Sequence, residues 1–327
     1  MNWLQALLLG IVQGLTEFLP VSSSGHLTIT QHVLGINLEG NNLFFNVMLH
    51  IGTLVAVVAF YHKLFWNLIK EFFRMVGDIF TGKFRWREMN YERNLIVMLI
   101  IGLIPLFLLF IPIPGTDMKV KDLADVFSAS PILIVTAVSL CITSALLFIG
   151  IICNKRNSQR VFRHLKGSSA NSKGRETYTV FDALCVGLMQ VVAALFPGIS
   201  RSGSTLAVGE MRGINKQKAL DYTFVLGTPA IIAAALLEGV DAIKSPEGLQ
   251  IEWVPTLIGV AVSAVVGYLA IWIFKWFLKS DKMIIFVIYT AVVGVGLIVV
   301  SVIEIMNGTN LFTGAPIGNN LFPIPVA

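Results

Sequence analysis

Uninterrupted apolar runs, each long enough to cross a bilayer, constrain this chain more than any other feature. Six of them, at about 43–61, 95–113, 131–153, 218–239, 253–277 and 283–305, meet the roughly 20 residues that a helix needs to traverse a hydrocarbon core. Backbone groups in lipid must be satisfied within a helix or around a closed barrel. The runs are continuous rather than alternating, which selects helices. Only 13% of the 327 residues are charged and 55% are hydrophobic, against about a quarter charged in soluble domains. That balance excludes a soluble globular protein and predicts a single all-α polytopic membrane domain. The net charge of +5 is modest and shows no nucleic-acid-binding pattern, so no nucleic-acid partner is expected. Cys141, Cys153 and Cys185 lie in or beside apolar runs without metal-ligand spacing and read as packing residues. The first basic residue is Lys63, so the apolar N-terminus lacks the positive n-region of a cleavable signal.

Two further apolar stretches, 3–35 and 180–212, break near their middles, at Pro20-Val21-Ser22-Ser23-Ser24-Gly25-His26 and at Pro197-Gly198-Ile199-Ser200-Arg201-Ser202-Gly203. Pro, Gly and clustered Ser end one helix and cap the next. Each stretch is therefore either a kinked span or a re-entrant helical hairpin, and charge placement decides between them. Lys and Arg cluster in 62–94, 154–175, 212–218 and 275–282, whereas the connections 114–130 and 240–252 hold only Lys119, Lys121 and Lys244. Six full transmembrane helices plus two re-entrant hairpins put every basic cluster on the cytoplasmic side. The N-terminus and the tail after Glu304 then lie outside. Residues 63–80, with Phe65, Trp66, Ile69, Phe72, Phe73, Val76 and Phe80 among charges, read as an interfacial amphipathic helix. Residues 154–175 read as a mobile basic loop.

The broken stretches resemble each other. Gly10, Gln13, Pro20 and Ser23 recur as Gly187, Gln190, Pro197 and Ser200, and a one-residue slip pairs Gly25 with Gly203. On this alignment Ser24 faces Arg201, and His26 has no counterpart. Gly52-Thr53 is echoed by Gly227-Thr228. The expected organisation is a first repeat over 1–153, a basic cytoplasmic loop over 154–179, a second repeat over 180–305 and an extracytoplasmic tail over 306–327. Each repeat holds one hairpin and three spans; three is odd, so the second copy is inverted. Inverted repeats with broken helices place their sites near the bilayer midplane. Helix N-termini there suit an anion such as phosphate.

Ionisable groups at membrane depth are costly and mark function. Glu17 and His26 belong to the first hairpin and Arg201 to the second; Gln13 and Glu17 share one helix face. Arg suits bidentate phosphate binding, and a carboxylate beside phosphate requires a divalent cation or a proton between them. The plainer alternatives are an ion pair that only joins the hairpins, and serines that only cap helices. His50 reads as a packed or hydrogen-bonded histidine, and His32, His62 and His164 as interfacial or exposed.

Gln13-Gly-Leu-Thr-Glu17-Phe-Leu-Pro-Val-Ser-Ser-Ser-Gly-His26 resembles the (E/Q)xxxE…PVSSxGH signature of the bacitracin-resistance type of undecaprenyl-pyrophosphate phosphatase. Pro197-Gly-Ile-Ser-Arg-Ser-Gly-Ser-Thr205 is similar to that family's PGxSRSxxT signature. Phe286-Val-Ile-Tyr289 with Gly294 resembles its FxxYRxxxG stretch, with Thr290 where Arg is usual; the segments 62–94 and 154–175 are longer than usual. The resemblance implies hydrolysis of a polyprenyl pyrophosphate lipid, assisted by a divalent cation (Mg2+ or Ca2+), at the outer face of the bacterial cytoplasmic membrane. It also implies roles: Gln13 and Glu17 hold the cation, and Ser23 and His26 supply the nucleophile or base. Ser200, Arg201 and Thr205 bind the diphosphate, with Ser22, Ser24 and Ser202 as further phosphate-binding candidates at the tips. Membrane lipid surrounds such a chain, and a homodimer is compatible with it. Whether Ser23, His26 or an activated water attacks phosphorus is left open. A polyprenyl-phosphate transporter is the rival function, because inverted repeats and broken helices also build transporters.

Overall fold

The computed structural model describes residues 2–36, 41–116, 118–128, 132–164, 174–244 and 252–317. Among them the chain is helical, with three isolated bridges and no extended strand. The order is α1 (Trp3–Phe18), α2 (Ser23–Leu34), α3 (Asn41–Phe60), α4 (His62–Phe80), α5 (Tyr91–Leu103) continued by a 3-10 segment (Ile104–Phe110), and α6 (Asp122–Ser128). Then follow α7 (Ile134–His164), α8 (Val180–Leu195), α9 (Arg201–Met211), α10 (Lys216–Lys244), α11 (Trp253–Lys279) and α12 (Ile284–Asn307). Among the described residues five segments are long and apolar enough to cross a membrane: Tyr91–Phe110, Ile134–Asn157, Lys216–Leu237, Trp253–Lys279 and Ile284–Asn307. A sixth follows if α3 and α4, bent by 81° at Tyr61, are counted as one.

The broken stretches behave differently from these spans. α1 and α8 have 16 residues each, or about 24 Å at the helical rise, short of a core about 30 Å thick. Both begin with a capping box, Asn2 with Gln5 and Thr179 with Asp182, so both starts are fixed by their own sequence. Both stop at the proline break, and a second short helix starts on a serine cap, Ser22 for α2 and Ser200 for α9.

Packing partners are exchanged between the halves. α1 and α3 pack on α11, α8 and α10 pack on α5, and α7 packs on α12. Small residues allow these approaches: a Cβ on Gly14 of α1 would lie 2.8 Å from the Ser263 carbonyl oxygen and 2.9 Å from Val266 Cβ of α11. Close packing through small residues is how helices associate without water to drive them together.

Three expectations need correction. The basic segment does not become a loop at 154, because α7 runs on to His164. Asn154-Lys-Arg-Asn-Ser-Gln-Arg160 contains no breaker and several good helix formers, and Asn154 is held to Glu210 at 3.0 Å. Residues 165–173 of that loop and 318–327 of the tail lie outside the described residues, as does the His164 side chain. His32 is not exposed; it is bonded at 2.8 Å to Glu304, which is fully buried. Finally, the cap positions shift the repeat register. Gly25 N–H donates to Ser22 Oγ at 3.2 Å, and Gly203 N–H donates to Ser200 Oγ at 3.0 Å. Ser22 therefore matches Ser200, and Ser23, not Ser24, stands opposite Arg201. The slip falls before the serines, and His26 matches Ser204.

Candidate active site

The two tips meet. Ser202 Oγ donates to the Leu19 carbonyl at 3.2 Å. A Cβ on Gly203 would lie 3.0 Å from Pro20, and one on Gly25 would lie 3.0 Å from Gly198. Each break thus rests on the other's glycine. Gly198 itself has φ +103, a conformation that costs a residue with a Cβ. Ser22 takes φ +74 without being glycine; the strain is held by its buried hydroxyl, which caps α2.

At this junction Glu17, almost wholly buried, gathers partners from both halves. Its Oε1 is ion-paired with Arg201. Its Oε2 accepts from Ser23 Oγ at 2.7 Å and from Gln13 Nε2 at 3.0 Å. The α1 periodicity stacks Gln13 over Glu17, and the break after Phe18 folds Ser23 back over the same carboxylate. A cavity of about 340 Å³ opens beside them, lined by Glu17, Ser22, Ser23, Ser24, Ser200, Arg201 and Ser202. One wall is apolar, made by Leu106, Leu109 and Phe110 of the 3-10 segment and Ala230, Ala234 and Leu237 of α10. Two helix N-termini therefore face a polar floor, and the first-turn amides of α2 and α9 have no intrahelical acceptor. An anionic head group with an apolar chain matches this arrangement.

Not every expected residue reaches the cavity. His26 does not line the cavity and is engaged elsewhere: Nδ1 donates to the Ser22 carbonyl at 2.8 Å, and Nε2 meets Tyr289 Oη at 2.7 Å. A carbonyl only accepts, so Nδ1 carries the proton in the neutral ring and Nε2 accepts from the tyrosine. Thr205 donates to the Arg201 carbonyl at 2.7 Å within α9 and is buried. Thr290, at the position where Arg is usual, is buried and donates to Phe286 O at 2.8 Å.

His50, expected as a packed or hydrogen-bonded histidine, is hydrogen-bonded and also borders the site. His50 of α3 lines the cavity, with Nε2 3.8 Å from Glu17 Oε2. Its Nδ1 lies 2.8 Å from the Asn46 carbonyl, so Nε2 is the bare nitrogen of the neutral ring. The available signal was the echo of Gly52-Thr53 in Gly227-Thr228. A Cβ on Gly227 would lie 3.6 Å from Arg201 Cζ, and His50 precedes Gly52 by two residues. The echo marks where each following helix passes the tips.

Among the described residues no group of three or more His, Cys, Asp or Glu side chains could hold a metal. The oxygens at the junction are the Glu17 carboxylate, Ser23 Oγ and Gln13 Oε1, the last buried without a hydrogen-bond partner.

A polytopic helical membrane protein with an arginine, a carboxylate-bound serine and two helix N-termini around one cavity is of a class suited to phosphorylated lipids. Residues 6–296 match the model of the bacitracin resistance protein BacA family, and the chain belongs to that family. It is 37% identical over 294 residues to the undecaprenyl-diphosphatase of Alkaliphilus metalliredigens, covering 90% of this chain and 97% of that protein. It is 36% identical over 312 residues to that of Bacteroides fragilis, covering 93% and 100%. The undecaprenyl-diphosphatase of Cutibacterium acnes is 32% identical over 314 residues, covering 93% and 99%.

Proposed function

We infer that this chain hydrolyses undecaprenyl diphosphate to undecaprenyl phosphate and inorganic phosphate, as the names of its relatives state for them. The observation that carries the chemistry is the 2.7 Å hydrogen bond from Ser23 Oγ to Glu17 where the two tips meet. Phosphoryl transfer needs in-line positioning and charge neutralisation more than covalent assistance. The incoming terminal phosphate offers Arg201 a bidentate partner and draws it from Glu17. Glu17 is then free to take the Ser23 proton as Ser23 Oγ bonds to the terminal phosphorus. The bond from that phosphorus to the bridging oxygen breaks, and undecaprenyl phosphate leaves. Water attacks the phosphoserine, phosphate departs, and Ser23 regains its proton. General-base assistance of this kind is worth about 10²–10⁴-fold.

A divalent cation, Mg2+ or Ca2+, fits the donors, which are all oxygens of the kind such hard ions take. Glu17, Gln13 Oε1 and Ser23 would hold it, and when bound it would neutralise phosphate charge.

In this mechanism α1–α2 and α8–α9 are re-entrant hairpins of two inverted halves, supported by the exchanged packing of α1 and α3 on α11 against α8 and α10 on α5. The cavity then opens to the extracytoplasmic side. Its wall at Ala124 belongs to the cation-poor connection 114–130, and its walls at Phe110 and Leu237 lie just before that connection and the cation-poor 240–252. The product would return the carrier to cell-wall polymer synthesis in the cytoplasmic membrane and lower sensitivity to bacitracin. The test is purified protein in detergent, without a membrane gradient, given a prenyl diphosphate and a divalent cation. Release of phosphate is expected; a folded preparation that releases none would overturn the hydrolase in favour of transport.

A further inference from the structure

α4 has an outward face that the site does not use. It leaves α3 at 81°, so if α3 crosses the bilayer, α4 lies nearly in the membrane plane. Its inward stripe, Leu68, Glu71 and Met75, is buried against the protein. Arg93 of α5 clamps it, reaching Glu71 at 2.5 Å and Asp78 at 2.6 Å, with Asn90 Nδ2 on Glu71 at 3.2 Å. The two acidic side chains of the helix are thereby occupied. The opposite stripe, at three- and four-residue spacing, is Trp66, Ile69, Phe73 and, two turns on, Phe80, which are 58%, 47%, 68% and 86% exposed. A second stripe beside it holds Lys63, Lys70 and Arg74, all exposed. Lys70 Nζ stands 5.1 Å over the Trp66 ring, and Arg74 touches Glu71 only at 3.4 Å. Trp86, in the short turn after the helix, is 65% exposed.

We propose that this face of α4 binds the anionic phospholipid headgroups of the leaflet it lies on. The aromatic stripe sinks into the acyl boundary while Lys63, Lys70 and Arg74 sit among the phosphates. Two features commit the face to lipid. It follows directly on α3, which also exposes Val55 and Val58, and its cations border its apolar stripe instead of crossing it, which is the arrangement of an interfacial helix. Each cation near an anionic surface contributes roughly fivefold, so three give a preference on the order of a hundredfold, reduced by salt. The clamp to α5 makes the surface rigid, so no folding cost is charged against binding.

The test uses the full chain in nanodiscs containing either brominated phosphatidylglycerol in phosphatidylcholine or brominated phosphatidylcholine in phosphatidylglycerol. The Trp66 signal is isolated as the difference between wild type and Trp66→Phe. Phosphatidylglycerol should quench Trp66 several-fold more strongly than phosphatidylcholine at equal fraction. The Lys63→Gln, Lys70→Gln, Arg74→Gln triple variant should equalise the two. Equal quenching in the wild type would overturn the headgroup preference, and so would an unchanged preference in a folded triple variant. No quenching by either lipid, with protection of α4 from hydrogen exchange that rises with protein concentration, would assign the face to a second copy of the chain and equally overturn the proposal.

Discussion

Replacing Glu17 by Gln separates the two tasks assigned to that carboxylate. Gln keeps the shape of the side chain and can still accept from Ser23, but it cannot take the Ser23 proton or pair with Arg201. Loss of the base predicts a fall in kcat of about 10²–10⁴-fold. The ion pair predicts something less obvious about binding. In the resting protein a phosphate must displace Glu17 from Arg201, and a charged hydrogen bond is worth about 1.5–3 kcal/mol. With that competitor gone, Glu17→Gln should bind inorganic phosphate on the order of 10–100-fold more tightly in the absence of divalent cation. Breaking a buried pair costs about 3–5 kcal/mol, but the Arg201 side chain is 30% exposed to the cavity, so water or phosphate replaces the lost partner and the variant should fold. The assay is steady-state phosphate release alongside calorimetric phosphate titration of the same preparation, with and without Mg2+. Turnover within tenfold of wild type would refute the base, and weaker cation-free phosphate binding would refute the competition for Arg201.

Other outcomes follow from the same geometry. Ser23→Ala should remove at least 10³-fold of kcat, whereas Ser24→Ala, whose exposed hydroxyl meets only Ser22 Oγ at 3.3 Å, should stay within tenfold, both read by phosphate release. Tyr289→Phe removes the hydroxyl that meets His26 and should cost less than tenfold in turnover; a loss as large as that of Ser23→Ala would bring His26 into the reaction. Gly14→Leu places a side chain where even a Cβ meets the Ser263 carbonyl at 2.8 Å, an overpacking worth about 1–3 kcal/mol or more. It should lower the thermal unfolding midpoint in detergent, and an unchanged midpoint would mean that α1 and α11 are not packed as described.

The parts of this protein legible from sequence are those written locally. Apolar runs marked the spans, Pro and Ser marked the breaks, and isolated charges marked Glu17 and Arg201, because lipid leaves a charge few places to go. Gln13 and Glu17 shared a face by spacing alone. What sequence could not give depended on how elements pass one another. Ser23 and His26 are three residues apart, close enough to suggest a pair. Instead, the elements packed around α2 give them separate partners, Glu17 of α1 for Ser23 and Tyr289 of α12 for His26. His50 sits in an unbroken span whose one mark is the nearby Gly52-Thr53 echo, and the packing of α3 beside α1 brings it to Glu17. The one-residue error in repeat register had a similar origin. Identities at Pro20 and Pro197 fixed the alignment before the break, but the caps at Ser22 and Ser200 fix it after.

The central claim is that Ser23, held by Glu17 at the meeting of the two tips, attacks phosphorus. The most direct measurement is rapid quenching of the purified protein during turnover of a prenyl diphosphate, followed by mass spectrometry of the peptide containing Ser23. One phosphoryl group on Ser23, formed and lost at rates compatible with turnover and absent from Glu17→Gln, is the predicted result. An unmodified Ser23 at every time point, with oxygen from labelled water in all the phosphate of the first turnover, would contradict it.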